Sequence, residues 1–168
     1  VGQNFEFSPI DSIFTYKNIT CGDNVQIGHN AVFIATLSDI KIGSNVLFAP
    51  GVTIIGGTHN TSVIGKTMFE TKEKRPEDDL GVKIEDDVWI GSNVTILHGV
   101  TICRGSVIGA GSIVTRSTHP YSVSVGNPAR VIRYRFNKDQ ILVHEEILYP
   151  KSRRLTGEQI DQFLSYSK

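Results

Sequence analysis

His59 is the residue of this chain whose type and position best suit proton transfer. A histidine side chain has an unperturbed pKa near 6.5, so at neutral pH it can take a proton from a hydroxyl group and release it again. His59 also stands directly before the most heavily charged stretch of the chain. An ordinary surface histidine is the alternative interpretation. The other four histidines fit structural or surface roles better, and they are His29, His98, His119 and His144.

The elements that must hold His59 in place follow a period of six residues. From Ile84 to Val114 every sixth residue is aliphatic, and a small or β-branched residue stands four positions after each one. Helices repeat at about 3.6 residues and two-sided strands at about 2, so neither produces this pattern. A parallel β-helix does, because each unit of six is one short strand and one bend, and three units close a coil. The aliphatic positions are Ile84, Ile90, Ile96, Ile102, Ile108 and Val114.

The same register runs through the first third of the chain, with one three-residue slip between Phe33 and Ile42. No amphipathic helix pattern interrupts residues 15–130, so the sequence predicts an all-β fold built on a parallel β-helix. The early register positions are Ile27, Phe33, Ile42, Phe48 and Ile54.

The register fails between Ile54 and Ile84. Polar side chains cannot stack in an apolar core, so residues from about 60 to 81 must leave the β-helix as a charged excursion with His59 at its root. Long loops of this kind are often lids or binding loops, and a tolerated solvated insertion is the alternative. The polar residues at the register positions are Asn60, Lys66, Lys72 and Asp78.

The pattern changes to helix after Asn137. One amphipathic segment ends at Pro150 and a second begins at Thr156. The sequence therefore predicts a β-helix domain over residues 1–136 and a helical extension over 137–168, packed on the β-helix or on a neighbouring subunit.

Composition narrows the classes of function. Seventeen basic and 17 acidic residues give zero net charge, so no overall field recruits nucleic acid or an anionic membrane. No apolar run approaches the ~20 residues of a membrane span, and no signal peptide is visible at Val1. Cys21 and Cys103 fall on well-separated coils, which favours packing over a disulfide or a metal site. These features predict a cytoplasmic protein.

Three segments together resemble the hexapeptide-repeat acyltransferases, in the branch of galactoside, maltose and xenobiotic O-acetyltransferases. They are residues 49–59 (APGVTIIGGTH), 87–92 (DVWIGS) and 126–133 (GNPARVIR). The resemblance implies a left-handed β-helix and an acetyl-CoA-dependent O-acetyltransferase acting on a sugar or polysaccharide precursor. It also implies His59 as general base, direct transfer in a ternary complex, no required metal, and a homotrimer with active sites between subunits.

The resemblance further implies a coenzyme site. Acetyl-CoA carries a 3′-phosphate and a pyrophosphate, which guanidinium groups bind well. Trp89 precedes an inward-facing residue, so it should point outward and resembles the family's wall for the pantetheine arm. The positions that match the family's coenzyme site are Trp89, Ser92, Ala110, Thr115, Arg116, Arg130 and Arg133.

The acceptor site departs from the family pattern. Sugar-specific members carry an asparagine pair on the coil before the histidine coil, whereas residues 31–39 here read AVFIATLSD and form a shorter stretch. The oxyanion donor and the sugar contacts that these asparagines supply in the family therefore cannot be assigned to residues of this chain. Asn60, which is next to His59, or Asp39 could replace them, but only their position in the sequence suggests it. An antibiotic hydroxyl and an amino-sugar nitrogen remain alternative acceptors.

Two other classes of protein share this repeat. A γ-class carbonic anhydrase-like enzyme needs three zinc-binding histidines at coil spacing, and His59 and His98 do not supply them. A scaffold without catalysis is the other alternative, and absence of coenzyme A binding would favour it.

The outward positions between residues 88 and 113 are largely uncharged. The sequence predicts that they form one stripe, with Val107 and Ile113 stacked on successive rungs. Such a stripe would be a costly exposed patch on a monomer, which favours burial between the subunits of a trimer. Its members are Trp89, Thr95, Thr101, Val107 and Ile113.

Overall fold

A computed structural model describes residues 1–166, so the last two residues of the predicted helical extension lie outside the described part. Short strands make up most of its regular structure, and two α-helices follow them. The strands are β1 (Phe5–Phe7), β2 (Ile13–Phe14), β3 (Ile19–Cys21), β4 (Val25–Ile27), β5 (Val32–Ile34), β6 (Ile40–Ile42), β7 (Val46–Phe48), β8 (Thr53–Ile55), β9 (Val82–Ile84), β10 (Val88–Ile90), β11 (Thr95–Ile96), β12 (Val100–Ile102), β13 (Val107–Ile108), β14 (Ile113–Val114), β15 (Ser122–Val125) and β16 (Arg130–Tyr134). The helices are α1 (Lys138–Leu148) and α2 (Gly157–Leu164).

Successive strands are distributed over three sheets, which are the three faces of a prism. Face A has the strand order β1-β4-β7-β10-β13-β15-β16, face B the order β14-β11-β8-β5-β2, and face C the order β12-β9-β6-β3. The strands within each face pair in parallel, except for the antiparallel pair β15–β16. From β1 to β14 each strand leads to the next face, so three strands complete a coil and the predicted parallel β-helix is confirmed.

The aliphatic register positions fill the interior of the prism. All six residues predicted from the period are almost completely buried, from Ile84 through Val114. Burying one such side chain contributes roughly 1.5–3 kcal/mol, so the stacked column is a large term in the stability of the fold. Polar residues in the left-handed conformation form the corners before face A, as at Asn24 (φ 55), Asn45 (φ 59) and Asp87 (φ 57). Asparagine and aspartate tolerate this conformation better than other side chains.

The predicted single outward stripe is wrong. A step of six residues moves the chain to the next face, so only residues one full coil apart share a face. Trp89 therefore pairs with Val107 on face A, while Ile113 pairs with Thr95 on face B. Thr101 lies on face C opposite Lys83. Among these positions Trp89 is the only one more than half exposed, at 53 %.

The predicted excursion is present between β8 and β9. Register partners on face C are 18 residues apart where the coil is regular, as for Ile84 and Ile102, but 42 apart across the excursion, as for Ile42 and Ile84. A one-turn 3-10 helix at Pro76–Asp79 precedes the return to face C. The β-helix therefore continues in register above and below the inserted segment.

The helical extension packs on its own β-helix. Tyr121 from the last coil forms a buried apolar cluster with Ile141, Ile160 and Phe163 of the two helices. The Tyr121 hydroxyl donates to the buried carboxylate of Glu145 at 2.7 Å. Burial raises the pKa of Tyr121, so the hydroxyl keeps its proton and remains a donor. In the described part of the chain no helix is both long and apolar enough for a membrane span.

Both cysteines are free thiols, as predicted. Cys21 packs against the β-helix core. Burial raises the pKa of Cys103 to about 11, so this thiol is not a nucleophilic thiolate at neutral pH.

Candidate active site

His59 lies at the edge of the prism between faces B and C. It follows the last residue of β8 by four positions, in the first part of the excursion. Its side chain is exposed, and it makes no hydrogen bond to any of residues 1–166. An imidazole that is free of partners and open to solvent is available to accept a proton from a bound molecule.

The backbone next to His59 is held by the returning end of the excursion. The Thr58 N–H donates to the carbonyl oxygen of Asp78 at 2.7 Å, and Lys74 donates to the Thr58 carbonyl oxygen. Asp78 is itself buried and accepts from the Arg75 guanidinium at 2.6 Å and from the Arg75 N–H at 2.9 Å. These hydrogen bonds lower the pKa of the Asp78 carboxyl, so it is charged at neutral pH. The Arg75–Asp78 pair thus fixes the chain on which His59 stands.

Asp78→Asn is expected to loosen the excursion and lower turnover by roughly tenfold to a hundredfold, because misplacing a catalytic group by about 1 Å can cost that much. Hydrogen exchange of residues 57–80 should become faster at the same time. Folding lowers the pKa of Asp78. The ion pair between Arg75 and Asp78, called the Arg75–Asp78 anchor below, is therefore present at pH values above the usual aspartate pKa, and it is lost as the pH falls through the lowered pKa.

Glu77→Gln is the matched control for this prediction, because Glu77 also pairs with Arg75, at 3.5 Å, but is largely exposed. Its turnover and exchange should stay near wild type. Equal turnover and equal exchange in Asp78→Asn and the wild type would show that the pair does not position His59.

Asn60 is engaged within the excursion. Its side-chain oxygen accepts from the Ser62 N–H at 3.0 Å and from the Ser62 hydroxyl at 2.9 Å, and its amide donates to the Glu73 carbonyl oxygen at 3.3 Å. Asn60 is accordingly buried. Asp39, the other residue considered in place of the family's asparagine pair, forms an ion pair with Lys41 at 3.5 Å. In this arrangement the Asn60 amide is committed to holding the loop.

Trp89 belongs to a continuous row of outward side chains on face A. Residues paired in register on adjacent strands share a face, so the pairings define which side chains line up. The row, called the face A row below, consists of Glu6, Gln26, Leu47, Trp89, Val107, Val123 and Arg133. It runs along the prism axis and places Trp89 and Arg133 on the same side of face A, both exposed, with the buried Val123 between them.

A β-bulge places Arg130 on the same surface. Arg133 pairs with Val123 and Arg130 with Val125, while the ladder shifts between Val123 and Ser124. Two residues three apart on a regular strand face opposite ways, so the extra residue, Ile132, is what turns both arginines to one side. Two of the three arginines predicted to contact the coenzyme therefore point to the same side of the strand because of an irregularity in it.

The remaining coenzyme candidates lie at two edges of the prism. Ser92 and Ala110 occupy successive turns between faces A and B, where the Gly111 N–H donates to the Ser92 carbonyl oxygen at 2.8 Å. Thr115 and Arg116 follow β14 at the B–C edge and are exposed. Arg116 and Arg130 line one cleft of about 140 Å³ near the end of the β-helix.

His59 is not brought to the face A row within one chain. The B–C edge is opposite face A in a three-sided prism, and the excursion begins at that edge. Thr115 and Arg116 share the edge with His59, but β14 lies two strand spacings, about 10 Å, beyond β8. Among the described residues no group of three or more His, Cys, Asp or Glu side chains is arranged to hold a metal ion.

Comparison with known proteins identifies the family. Residues 81–116 match the model of the bacterial transferase hexapeptide, with six repeats. The chain is 34 % identical to the solved maltose O-acetyltransferase of Clostridium difficile 630, with a TM-score of 0.66, covering 82 % of this chain and 70 % of that one. A hexapeptide-repeat acetyltransferase of Vibrio cholerae, solved with acetyl-CoA, is 30 % identical with a TM-score of 0.71, covering 82 % and 71 %. The chain belongs to the hexapeptide-repeat acetyltransferases.

Membership in the hexapeptide-repeat acetyltransferases confirms the left hand of the β-helix. The galactoside O-acetyltransferase of Escherichia coli K12 is 41 % identical over 146 residues, which cover 83 % of this chain and 66 % of that protein. Across the first curated relatives the matched segment spans between 53 % and 66 % of their length.

One side-chain contact of this hexapeptide-repeat chain does not follow from the repeat pattern. The sequence predicted a structural or surface role for His29, and its side chain forms a pair with Asp11, with 2.8 Å between Nδ1 and the carboxylate oxygen. The pair lies beside a groove on face A whose wall includes Trp89. Asp11 lies outside the six-residue register, so no periodicity in the sequence pointed to this contact.

Proposed function

We propose that this protein transfers an acetyl group from acetyl-CoA to a hydroxyl group of a sugar or polysaccharide precursor, with His59 as the general base. The observation that carries the proposal is the unpartnered imidazole of His59, held by the Arg75–Asp78 anchor at the rim of a prism whose opposite face presents Trp89 and two arginines. Family membership supports acetyl-CoA as the donor, since a related structure holds it.

The proposed reaction is a direct transfer in a ternary complex. The acceptor hydroxyl loses its proton to His59 as its oxygen attacks the thioester carbonyl carbon. The tetrahedral oxyanion then collapses, the carbon–sulfur bond breaks, and the coenzyme A thiolate takes the proton from the imidazolium. One imidazole serves as base and then as acid, so the chemistry requires no metal ion.

The proposed assembly is a homotrimer with active sites between subunits. A closed three-fold arrangement allows the B–C edge of one subunit to approach face A of the next, which one chain cannot do by itself. The face A row and the A–B edge would then hold the coenzyme, through Trp89, Ser92, Ala110, Arg130 and Arg133. Thr115 and Arg116, which share the B–C edge with His59, would complete that site from the neighbouring subunit.

A cytoplasmic location is part of the same proposal.

Analysis of the acetylated product tests the proposal. The protein would be incubated with acetyl-CoA and, separately, neutral sugars, nucleotide sugars, amino sugars and hydroxyl-bearing antibiotics. NMR and mass spectrometry would then locate the acetyl group. An O-acetyl sugar is expected. An N-acetyl product or an acetylated antibiotic alone would select the corresponding alternative, and absence of any product together with absence of coenzyme A binding would favour a scaffold.

Arg133→Ala and Arg130→Ala are each expected to weaken binding of acetyl-CoA by about tenfold to a hundredfold, the range for a lost charge-assisted hydrogen bond. Calorimetric titration with coenzyme A and with dephospho-coenzyme A checks which phosphate is read. If an arginine binds the 3′-phosphate, its alanine variant should lose affinity for coenzyme A but not for dephospho-coenzyme A.

Lys17→Ala is the control for a general change in charge, because Lys17 is exposed on a different part of the coil. Its affinity should equal that of the wild type. Equal losses for coenzyme A and dephospho-coenzyme A in both arginine variants would contradict a 3′-phosphate site at Arg130 and Arg133.

A further inference from the structure

A groove of about 620 Å³ lies at the end of the face A row beyond Trp89. Its floor contains Glu6, Gln26 and Leu47. Its lining also includes residues 7–9 at the end of β1, and His29 and Pro50 in the turns after β4 and β7. The groove is therefore a continuation of the surface that carries the coenzyme candidates.

The order of residues along the row assigns a direction to bound acetyl-CoA, on the assumption that the proposed function is correct. Arg133 and Trp89 are separated by three strand spacings, about 14 Å. A coenzyme whose phosphates lie at Arg130 and Arg133 and whose pantetheine arm passes Trp89 ends with its acetyl group toward Leu47. The acceptor must approach that group, and the groove holds the space next to it.

The lining of the groove combines hydrogen-bonding groups with apolar surface. The Gln26 amide donates to a Glu6 carboxylate oxygen at 3.2 Å, which leaves the second Glu6 oxygen and the Gln26 carbonyl oxygen available to a ligand. Leu47 is 50 % exposed and Trp89 is 53 % exposed. A flat apolar surface beside such acceptors suits the ring and hydroxyl groups of a sugar.

The charges around the groove disfavour an anionic acceptor. Glu6 places a carboxylate in its floor, and a phosphate group there would meet like charge. Hydrogen bonds from Ser8 and His29 lower the pKa of Asp11 to about 2, so the carboxylate that orients His29 is also charged. With Nδ1 of His29 directed at Asp11, Nε2 remains free at the rim as a further polar contact.

We propose that this groove is the acceptor subsite and that it takes a neutral saccharide, with Glu6 and Gln26 binding its hydroxyl groups and Leu47 and Trp89 packing against its ring. A nucleotide sugar, which carries a diphosphate, is disfavoured at this position by the negative charge of Glu6. The proposal names the acceptor class within the proposed function and selects among the acceptors that the sequence left open.

Initial rates with Glu6→Ala and Gln26→Ala test the proposal, using maltose and methyl galactoside as neutral probes and UDP-galactose as the anionic probe. Each variant is expected to raise the KM for the neutral probe by roughly tenfold, the effect of one lost hydrogen bond, while the KM for acetyl-CoA stays constant. Glu158→Gln and Gln162→Ala, on the exposed side of α2, are the matched controls. Glu6→Gln should improve turnover of UDP-galactose relative to wild type.

Saturation-transfer NMR of the same sugars with the coenzyme A complex separates this proposal from the proposed function. Sugar binding that is weakened by Gln26→Ala, without any acetyl transfer, would support the subsite and contradict the acetyltransferase. Acetyl transfer that is unchanged by both variants would contradict the subsite alone. A rise in the KM for acetyl-CoA, wild-type preference for UDP-galactose, or no sugar binding would also overturn the subsite.

Discussion

His59→Ala is expected to lower the turnover number by on the order of 10²–10⁴, the usual contribution of one positioned general base. Affinity for acetyl-CoA should remain that of the wild type, because most coenzyme candidates lie on face A or at the A–B edge, and Thr115 and Arg116 follow β14, about 10 Å from β8. Stability should also change little, since the His59 side chain is exposed and makes no hydrogen bond within residues 1–166. Steady-state kinetics and calorimetric titration with acetyl-CoA measure the two effects separately.

Thr61→Ala is the control, because Thr61 is exposed two positions further along the same loop. It should retain near wild-type turnover. His59→Gln keeps hydrogen-bonding capacity but cannot accept a proton near neutral pH, so it should be as impaired as His59→Ala. Near wild-type turnover in either His59 variant, with a good acceptor, would remove His59 from the mechanism.

Mixed trimers of two inactive chains are expected to regain activity. One chain carries His59→Ala and the other carries both Arg130→Ala and Arg133→Ala, assayed at acetyl-CoA concentrations far below the KM of the double variant. If each site takes His59 from one subunit and face A from its neighbour, random assembly leaves about one quarter of the sites intact. The mixture should therefore show about a quarter of wild-type activity.

The control mixes the two variants after assembly, under conditions in which subunits do not exchange, and it should remain inactive. If both contributions come from the same chain, every site in a mixed trimer carries a defect. Activity no higher than the sum of the two parents would therefore contradict a shared site. A fully active monomer by light scattering would contradict it as well.

The β-helix was predictable because its information is local and repeated. Each inward aliphatic residue from Ile84 to Val114 meets the same environment one coil later, so a period of six is sufficient to specify the coil. The excursion was predictable for the opposite reason, since Asn60 and Asp78 cannot occupy core positions. Their actual burial, through hydrogen bonds within the loop, depends on contacts that no period reveals.

The arrangement of the site was less accessible from the sequence. Val107 and Ile113 do not lie on one stripe, because a step of six residues moves the chain to the next face. Two residues share a face only when they are one full coil apart. The bulge that turns Arg130 and Arg133 to the same side is a single extra residue in a strand. The His29–Asp11 contact joins a turn of the β-helix to a segment outside the repeat register.

The most direct measurement of the central claim is the release of coenzyme A thiol from acetyl-CoA by the purified protein, with and without a neutral sugar. We expect thiol release that depends on the sugar, saturates with it, and yields one O-acetyl sugar for each thiol formed. The His59→Ala variant should show almost none. Thiol release that is independent of any acceptor, or no release with neutral sugars, nucleotide sugars, amino sugars and antibiotics alike, would contradict an acetyltransferase built on His59.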